Sequence, residues 1–114
     1  MNFLHSIALS DRIALAKRVE TEPEAAQYFK TQMYPAITQA LANAMTACFP
    51  PEKPNPGKFT VVANVSREGK FVNIDYEPKS EAVACVANAI AGFHTPPPVM
   101  HELLPIVIEM SVVP

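Results

Sequence analysis

The stretch that decides the fold reads GKFTVVANVSREGKFVNIDY and runs from residue 57 to residue 76. Apolar and polar residues alternate on both sides of a turn at residues 67–70, where Gly69 can adopt a positive φ. We therefore predict an antiparallel hairpin with one buried face. The residues predicted to face the core are Phe59, Val61, Ala63 and Val65 in the first strand and Val72, Ile74 and Tyr76 in the second. Val62 breaks the alternation, because it is apolar but lies on the opposite face.

A helical pattern precedes the hairpin. Thr21 is placed at the N-cap and Pro23 in the first turn, while Glu24 closes a capping box. Pro35 lies inside the pattern, and since proline lacks a backbone donor we expect a kink or a break just before it. The apolar stripe consists of Ala26, Phe29, Met33, Ile37, Ala40, Leu41, Ala44 and Cys48.

A second helix and a last strand follow the hairpin. Ser80 is predicted to cap the helix, with Glu81 in its first turn and Gly92 at its end. Residues 106–113 alternate again, and Pro105 suits the first position of a strand. The order α-β-β-α-β predicts an α+β fold, in which a small three-stranded antiparallel sheet has helices packed on one face.

Length and composition limit the class of protein. The chain has 114 residues, 49% hydrophobic and 18% charged, with a formal net charge of -2. We assign one domain to residues 21–114, and residues 1–20 to a peripheral segment with the pattern of a short helix. The near-neutral charge argues against nucleic-acid binding, and no apolar run reaches the roughly 18 residues that span a bilayer. No signal peptide is expected, because no Lys or Arg precedes Arg12.

The chain contains two cysteines, Cys48 and Cys85. Two buried thiols are typical of a cytosolic protein, and one disulfide is typical of an exported protein. The enzymatic alternative is a catalytic thiol at Cys85, near the start of a helix, with His94 or His101 as its base. Because no acid or carboxamide partner stands at a recognisable spacing, we expect a structural role for both cysteines.

Metal and cofactor sites are not expected. His94, His101 and Glu102 match no usual zinc pattern, and His5 is remote in the sequence. Methionines can form adaptable binding surfaces, but three of the four considered lie on predicted core stripes, so we expect them in the core. These four are Met33, Met45, Met100 and Met110.

The hairpin and the element order resemble the C-terminal domain shared by TonB and TolA. GKFTVV at residues 57–62 leads into VSREGKFV at residues 65–72, as the strand and glycine turn of that family do. Tyr34-Pro35 is similar to the Tyr-Pro that opens the first helix of the TonB domain. The chain departs from that family at residues 77–80, where EPKS stands in place of Ser-Ser-Gly.

The second helix resembles TolA-like and gliding-motility-type relatives. CVANAI at residues 85–90, followed by Phe93 and three prolines at residues 96–98, is similar to their cysteine-bearing helix and proline crossing. In those relatives a cysteine near the end of the first helix, here Cys48, accompanies the one in the second helix. The resemblance therefore implies a Cys48–Cys85 disulfide and an oxidising bacterial envelope compartment.

The last strand is the predicted binding element. At least two strands of a three-stranded sheet are edges, which offer unpaired backbone groups to a partner. The resemblance implies that a partner segment adds to such an edge. The expected partner-binding residues are Val107, Glu109, Ser111 and Val113. The alternative is that residues 1–20 cap this edge.

We therefore predict a non-catalytic periplasmic protein-protein interaction module that binds an envelope protein without inserting into the membrane itself. No cofactor, metal or nucleic acid is expected to take part. The alternatives are a stand-alone inhibitor or assembly subunit of the same fold, a homodimer through the same edge, and a small thiol enzyme.

Overall fold

The computed structural model describes residues 8–50 and 57–111. Its elements are α1 (Leu9–Val19), α2 (Pro23–Tyr28), a π-helical segment (Phe29–Met33), α3 (Tyr34–Cys48), β1 (Lys58–Ser66), β2 (Phe71–Glu77), α4 (Glu81–Ile90) and β3 (Leu103–Ser111). The strands form one antiparallel sheet in the order β2-β1-β3. The predicted α+β class, the three-stranded sheet and the element order are thus confirmed.

One face of the sheet carries the main core. Phe59, Val61 and Val65 of β1 are buried there, together with Leu104 and Ile106 of β3. The helices α2 and α3 and the π-helical segment contribute further buried side chains to the same cluster, and α4 packs against α3 and β2. The predicted inward face of β1 is correct, because alternation along a strand directs every second side chain to the core.

The helix α1 packs against the sheet on the side opposite to this core. It contacts β3 and β1, and Lys17 lies 3.2 Å from Glu109, which alternates with the inward-facing Ile108 and Met110. Val62 faces the same side and is only 1% exposed. Coverage by α1 explains why this position of β1 is apolar, although it breaks the alternation.

The prediction that Val72 faces the core is wrong, because β2 contains a β-bulge. Between the pairs Val62↔Asp75 and Asn64↔Val72, β2 contains one residue more than β1. Asn73 has a φ of 54° at this point, a conformation that Asn tolerates better than most residues. The extra residue reverses the alternation, so Phe71 is buried in the core whereas Val72 pairs opposite Asn64 on the other face.

The structure confirms one predicted helix cap and corrects another. Ser80 Oγ accepts a hydrogen bond from Val83 N–H at 3.2 Å and caps α4 as expected. Thr21, however, does not cap α2: its hydroxyl donates to the carbonyl of Arg18 at 2.6 Å. Thr21 N–H donates to the same carbonyl at 3.1 Å, so Thr21 belongs to the turn that ends α1, and α2 begins at Pro23 with Glu22 as its N-cap.

The helix changes its geometry just before Pro35, as predicted. The π-helical segment ends at Met33, and α3 carries Pro35 in its first turn. A proline cannot donate the usual backbone hydrogen bond, and a wider turn accommodates that loss. Tyr34 directly follows this segment and is exposed, with its ring stacked on Phe29 at a centroid distance of 6.0 Å.

Cys48 and Cys85 form a disulfide that joins the end of α3 to α4, with a Cα–Cα distance of 5.6 Å. Cys48 is buried and Cys85 is exposed.

Candidate functional site

The hydrogen bonds of the hairpin turn show which backbone groups of β3 face the free edge of the sheet. Ser66 N–H donates to Lys70 O at 2.8 Å, and Ser66 O accepts from Gly69 N–H at 2.9 Å. Both groups therefore point toward β2. Because successive residues of a strand point their backbone groups to opposite sides, the even-numbered residues of β1 bond to β2 and the odd-numbered residues to β3.

The register between β1 and β3 shows which residues of β3 direct their backbone groups to the free edge. Val61 pairs with Ile108 and Ala63 with Ile106, so the even-numbered residues of β3 bond to β1. The odd-numbered residues then direct their N–H and C=O groups away from the sheet. Pro105 occupies one of these outward positions, where its missing N–H costs no hydrogen bond in the sheet.

The predicted binding residues Val107, Glu109 and Ser111 all lie at outward positions, whereas Val113 lies outside the described residues. Within residues 8–50 and 57–111, no strand pairs with this side of β3, and no hydrogen bond reaches these three N–H groups. With respect to the described part of the chain, Val107, Glu109 and Ser111 thus present unpaired backbone donors and acceptors.

An apolar groove of about 420 Å³ runs between α3 and β3 beside this edge. Its apolar walls are formed by Tyr34, Ile37, Leu41 and Met45 of α3 and by Ile108 and Met110 of β3. Phe49 stacks on Phe59, the β1 partner of Met110, so the C-terminal end of α3 lies toward the end of β3. The groove therefore follows the free edge of β3.

The groove is not predictable from the sequence pattern. Leu41 lies on the predicted core stripe, and Met45 and Met110 are predicted in the core, but all three are only partly buried. They line the groove beside β3 instead. The large ring of Tyr34 directly before Pro35 is the one sequence signal at this place, and Tyr34 is 48% exposed.

The rim of the groove is acidic. Glu109 pairs with Lys17, and burial together with the nearby charge of Glu109 raises the pKa of Glu20, although Lys17 opposes this shift. Burial and the charge of Glu20 also raise the pKa of Tyr34. The charge of Glu20 thus acts on Tyr34 in the groove, while Lys17 forms an ion pair with Glu109.

The helix α1 packs against β3 and β1 on the face opposite to the main core. Arg12 Nη2 donates to the carbonyl of Asn73 in β2 at 2.5 Å, and Lys17 pairs with Glu109 in β3. Val19, at the end of α1, already belongs to the main core cluster. Residues 1–7 lie outside the described residues, so the alternative in which residues 1–20 cap the edge stays a prediction.

The cysteines and histidines considered for catalysis or metal binding take part in a disulfide, a side-chain contact and a backbone bridge. Cys85 is bonded to Cys48, so neither cysteine is a free thiol. His101 Nε2 lies 2.9 Å from Glu22 Oε1, and Lys70 forms an isolated bridge with the backbone of His94. Among the described residues, no group of three or more His, Cys, Asp or Glu side chains is placed to hold a metal ion.

Fold and site together define a small α+β domain with an open sheet edge beside an apolar groove. Comparisons with protein-family models, with curated proteins and with solved structures found no match for this chain. Within the described ranges, no helix has both the length and the hydropathy needed to cross a membrane.

Proposed function

We propose that this domain is a non-catalytic protein-binding module that captures an extended segment of a partner by strand addition to β3. The observation that carries the proposal is the run of outward N–H and C=O groups at Val107, Glu109 and Ser111, next to an apolar groove. In strand addition, backbone hydrogen bonds supply affinity, and a pocket for alternate side chains supplies specificity. This site offers both features along the same strand.

The resemblance to TonB and TolA C-terminal domains supports this mode of binding, because those domains are understood to add partner segments at a sheet edge. The Cys48–Cys85 disulfide supports an oxidising compartment, since such bonds persist mainly outside the cytosol. We therefore place the proposed module in the bacterial periplasm, with a protein of the cell envelope as its partner.

The test removes one outward N–H group and leaves the pairing of β3 with β1 intact. Immobilised wild-type protein, Val107→Pro and Val107→Thr are exposed to the same periplasmic extract, and the bound proteins are compared quantitatively. Proline removes the outward donor, whereas threonine keeps both the donor and the branched shape of the side chain. We expect Val107→Pro to lose a bound protein that the wild type and Val107→Thr retain. Equal capture by all three proteins would show that strand addition at this edge is wrong.

A further inference from the structure

The geometry of the edge points to the chemistry of the segment that binds there. Resting on the proposed strand addition, we infer that the bound segment carries a Lys or Arg flanked on both sides by apolar residues. The pattern is apolar-basic-apolar, with the basic residue opposite Glu109.

The directions of the side chains assign these positions. In antiparallel pairing, residues directly opposite each other send their side chains to the same face of the sheet. Segment residues opposite Ile108 and Met110 therefore point to the side of α3. There they meet the groove walls formed by Ile37, Leu41 and Met45. The segment residue between them points to the other face, beside Glu109 and α1.

The groove favours two apolar side chains. Its volume of about 420 Å³ is within the range of pockets that bind small ligands, and most of its lining side chains are apolar. Removing the exposed parts of Leu41, Met45 and Met110 from water favours association. Met45 and Met110 can also adjust their shape, so the groove accepts more than one type of apolar side chain.

The opposite face favours a positive charge. Glu109 of the edge strand faces this side and pairs with Lys17 at 3.2 Å, and the charges of Glu20 and Glu109 act on each other. Opposite charges facing each other across neighbouring strands stabilise pairing, and like charges destabilise it. A Lys or Arg opposite Glu109 adds a second cation to these two carboxylates, whereas an acidic residue there adds a third carboxylate.

The negative charge of Glu109 also favours a foreign segment over a second copy of this chain. Ile108-Glu109-Met110 is itself apolar-acidic-apolar. A second β3 in the register that fills both grooves would place Glu109 opposite the same residue of the other copy. The charge at this position therefore disfavours a homodimer in this register.

The test uses three synthetic peptides that differ only at the central residue: Ser-Thr-Ile-Lys-Val-Thr-Ser, the same peptide with Gln, and the same peptide with Glu, all capped at both ends. Dissociation constants are measured by titration calorimetry at low and at physiological salt. We expect the Lys peptide to bind about tenfold more tightly than the Glu peptide, with Gln between them. The difference should shrink at higher salt, because the charges are partly exposed.

Two variants separate the charge inference from the proposed function. Glu109→Gln should reduce the ratio of the Lys-peptide affinity to the Glu-peptide affinity to less than about threefold. Val107→Pro should weaken all three peptides alike. If the wild type binds the three peptides equally and Val107→Pro weakens them, strand addition stands and the charge inference is wrong.

If no peptide binds at millimolar concentration, the inferred pattern is overturned, and the extract experiment with Val107→Pro still judges the proposed function. Sedimentation of the wild type and of Val107→Pro tests whether a second copy of the chain occupies the edge. A wild-type dimer that Val107→Pro dissociates would identify a second copy, and would overturn the foreign segment.

Discussion

Gly69 shows how one residue couples the hairpin turn to a distant part of the chain. Its φ is 79°, and its carbonyl accepts a hydrogen bond from Thr95 N–H at 3.0 Å. A Cβ atom at this position would lie 1.9 Å from the carbonyl oxygen of Thr95. Thr95 is held in turn by Tyr28, whose hydroxyl lies 3.1 Å from Thr95 Oγ1 and donates to Pro96 O. The turn therefore needs glycine for its backbone conformation and for this close approach.

Gly57 supplies a matched control for Gly69. It also has a positive φ, of 81°, but a Cβ atom there meets nothing within 4 Å. We expect Gly57→Ala to cost about 1–2 kcal/mol, because alanine is strained at positive φ. Gly69→Ala should cost at least about 1 kcal/mol more, since the contact with Thr95 must also open. Urea unfolding of both variants measures the difference, and equal costs would contradict the importance of the close approach.

Asp75 makes the stability of the domain depend on pH. Burial alone would raise the pKa of Asp75, but hydrogen bonds from the Lys79 ammonium and from Tyr76 N–H lower it below the ordinary value of 3.8. The positive charges of Lys79 and Arg12 act in the same direction. A carboxyl whose pKa is lowered on folding stabilises the protein above its unfolded pKa, and this stability is lost as the pH falls through the folded pKa.

We therefore expect the difference in stability between the wild type and Asp75→Asn to be largest above about pH 4, and to shrink as the pH falls toward about 2. Other carboxyl groups titrate in both proteins, so their effects cancel in the difference. Urea midpoints measured at several pH values check this expectation. A difference that stays constant or grows on acidification would show that Asp75 gains nothing from its neighbours.

At the scale of elements, β3 has two sides with different roles. Its even-numbered residues bond to β1, and its odd-numbered residues face the free edge. Proline substitutions at neighbouring positions should therefore have different consequences for folding. The natural Pro105 already occupies an outward position.

Ile108→Pro should destabilise the domain by at least about 1–3 kcal/mol, because it removes a donor to β1 and leaves the buried carbonyl of Val61 without a partner. Val107→Pro should stay within about 1 kcal/mol of the wild type, since no partner of its N–H lies within residues 8–50 and 57–111. Urea unfolding followed by circular dichroism compares the two variants. If the two prolines destabilise equally, the assignment of outward and inward positions is wrong.

At the scale of the whole molecule, helices lie on both faces of the sheet and the disulfide joins two of them. The helix α1 covers one face, while α2, α3 and α4 build the core on the other. The disulfide closes a loop with a sequence separation of 37 residues, which includes the whole hairpin. It therefore restricts a large part of the unfolded chain.

Replacing both cysteines, as Cys48→Ala with Cys85→Ala, should lower the free energy of unfolding by about 4 kcal/mol on the chain-entropy model. This is a large share of the stability of a small domain. Urea unfolding checks it, and wild-type protein treated with a reductant is the matched control. An unchanged urea midpoint in both samples would show that the cross-link contributes little.

Features that depend on neighbours along the chain follow from the amino-acid sequence alone. The hairpin with its glycine turn, the irregular helix before Pro35 and the cap at Ser80 all follow from local backbone preferences. The shared side of Val107, Glu109 and Ser111 follows from the period of two residues in a strand. These rules need no knowledge of the partners across the fold.

Other features depend on residues far apart in the chain, and the three-dimensional packing sets them. Val62 is covered by α1, and the Arg12–Asn73 hydrogen bond spans 61 positions of sequence. The bulge in β2 turns Val72 away from the core. The groove forms between residues of α3 and β3 that lie far apart in the sequence. Periodicity predicts which side of an element is apolar, but the packing of the elements decides whether that side is covered or left open to a partner.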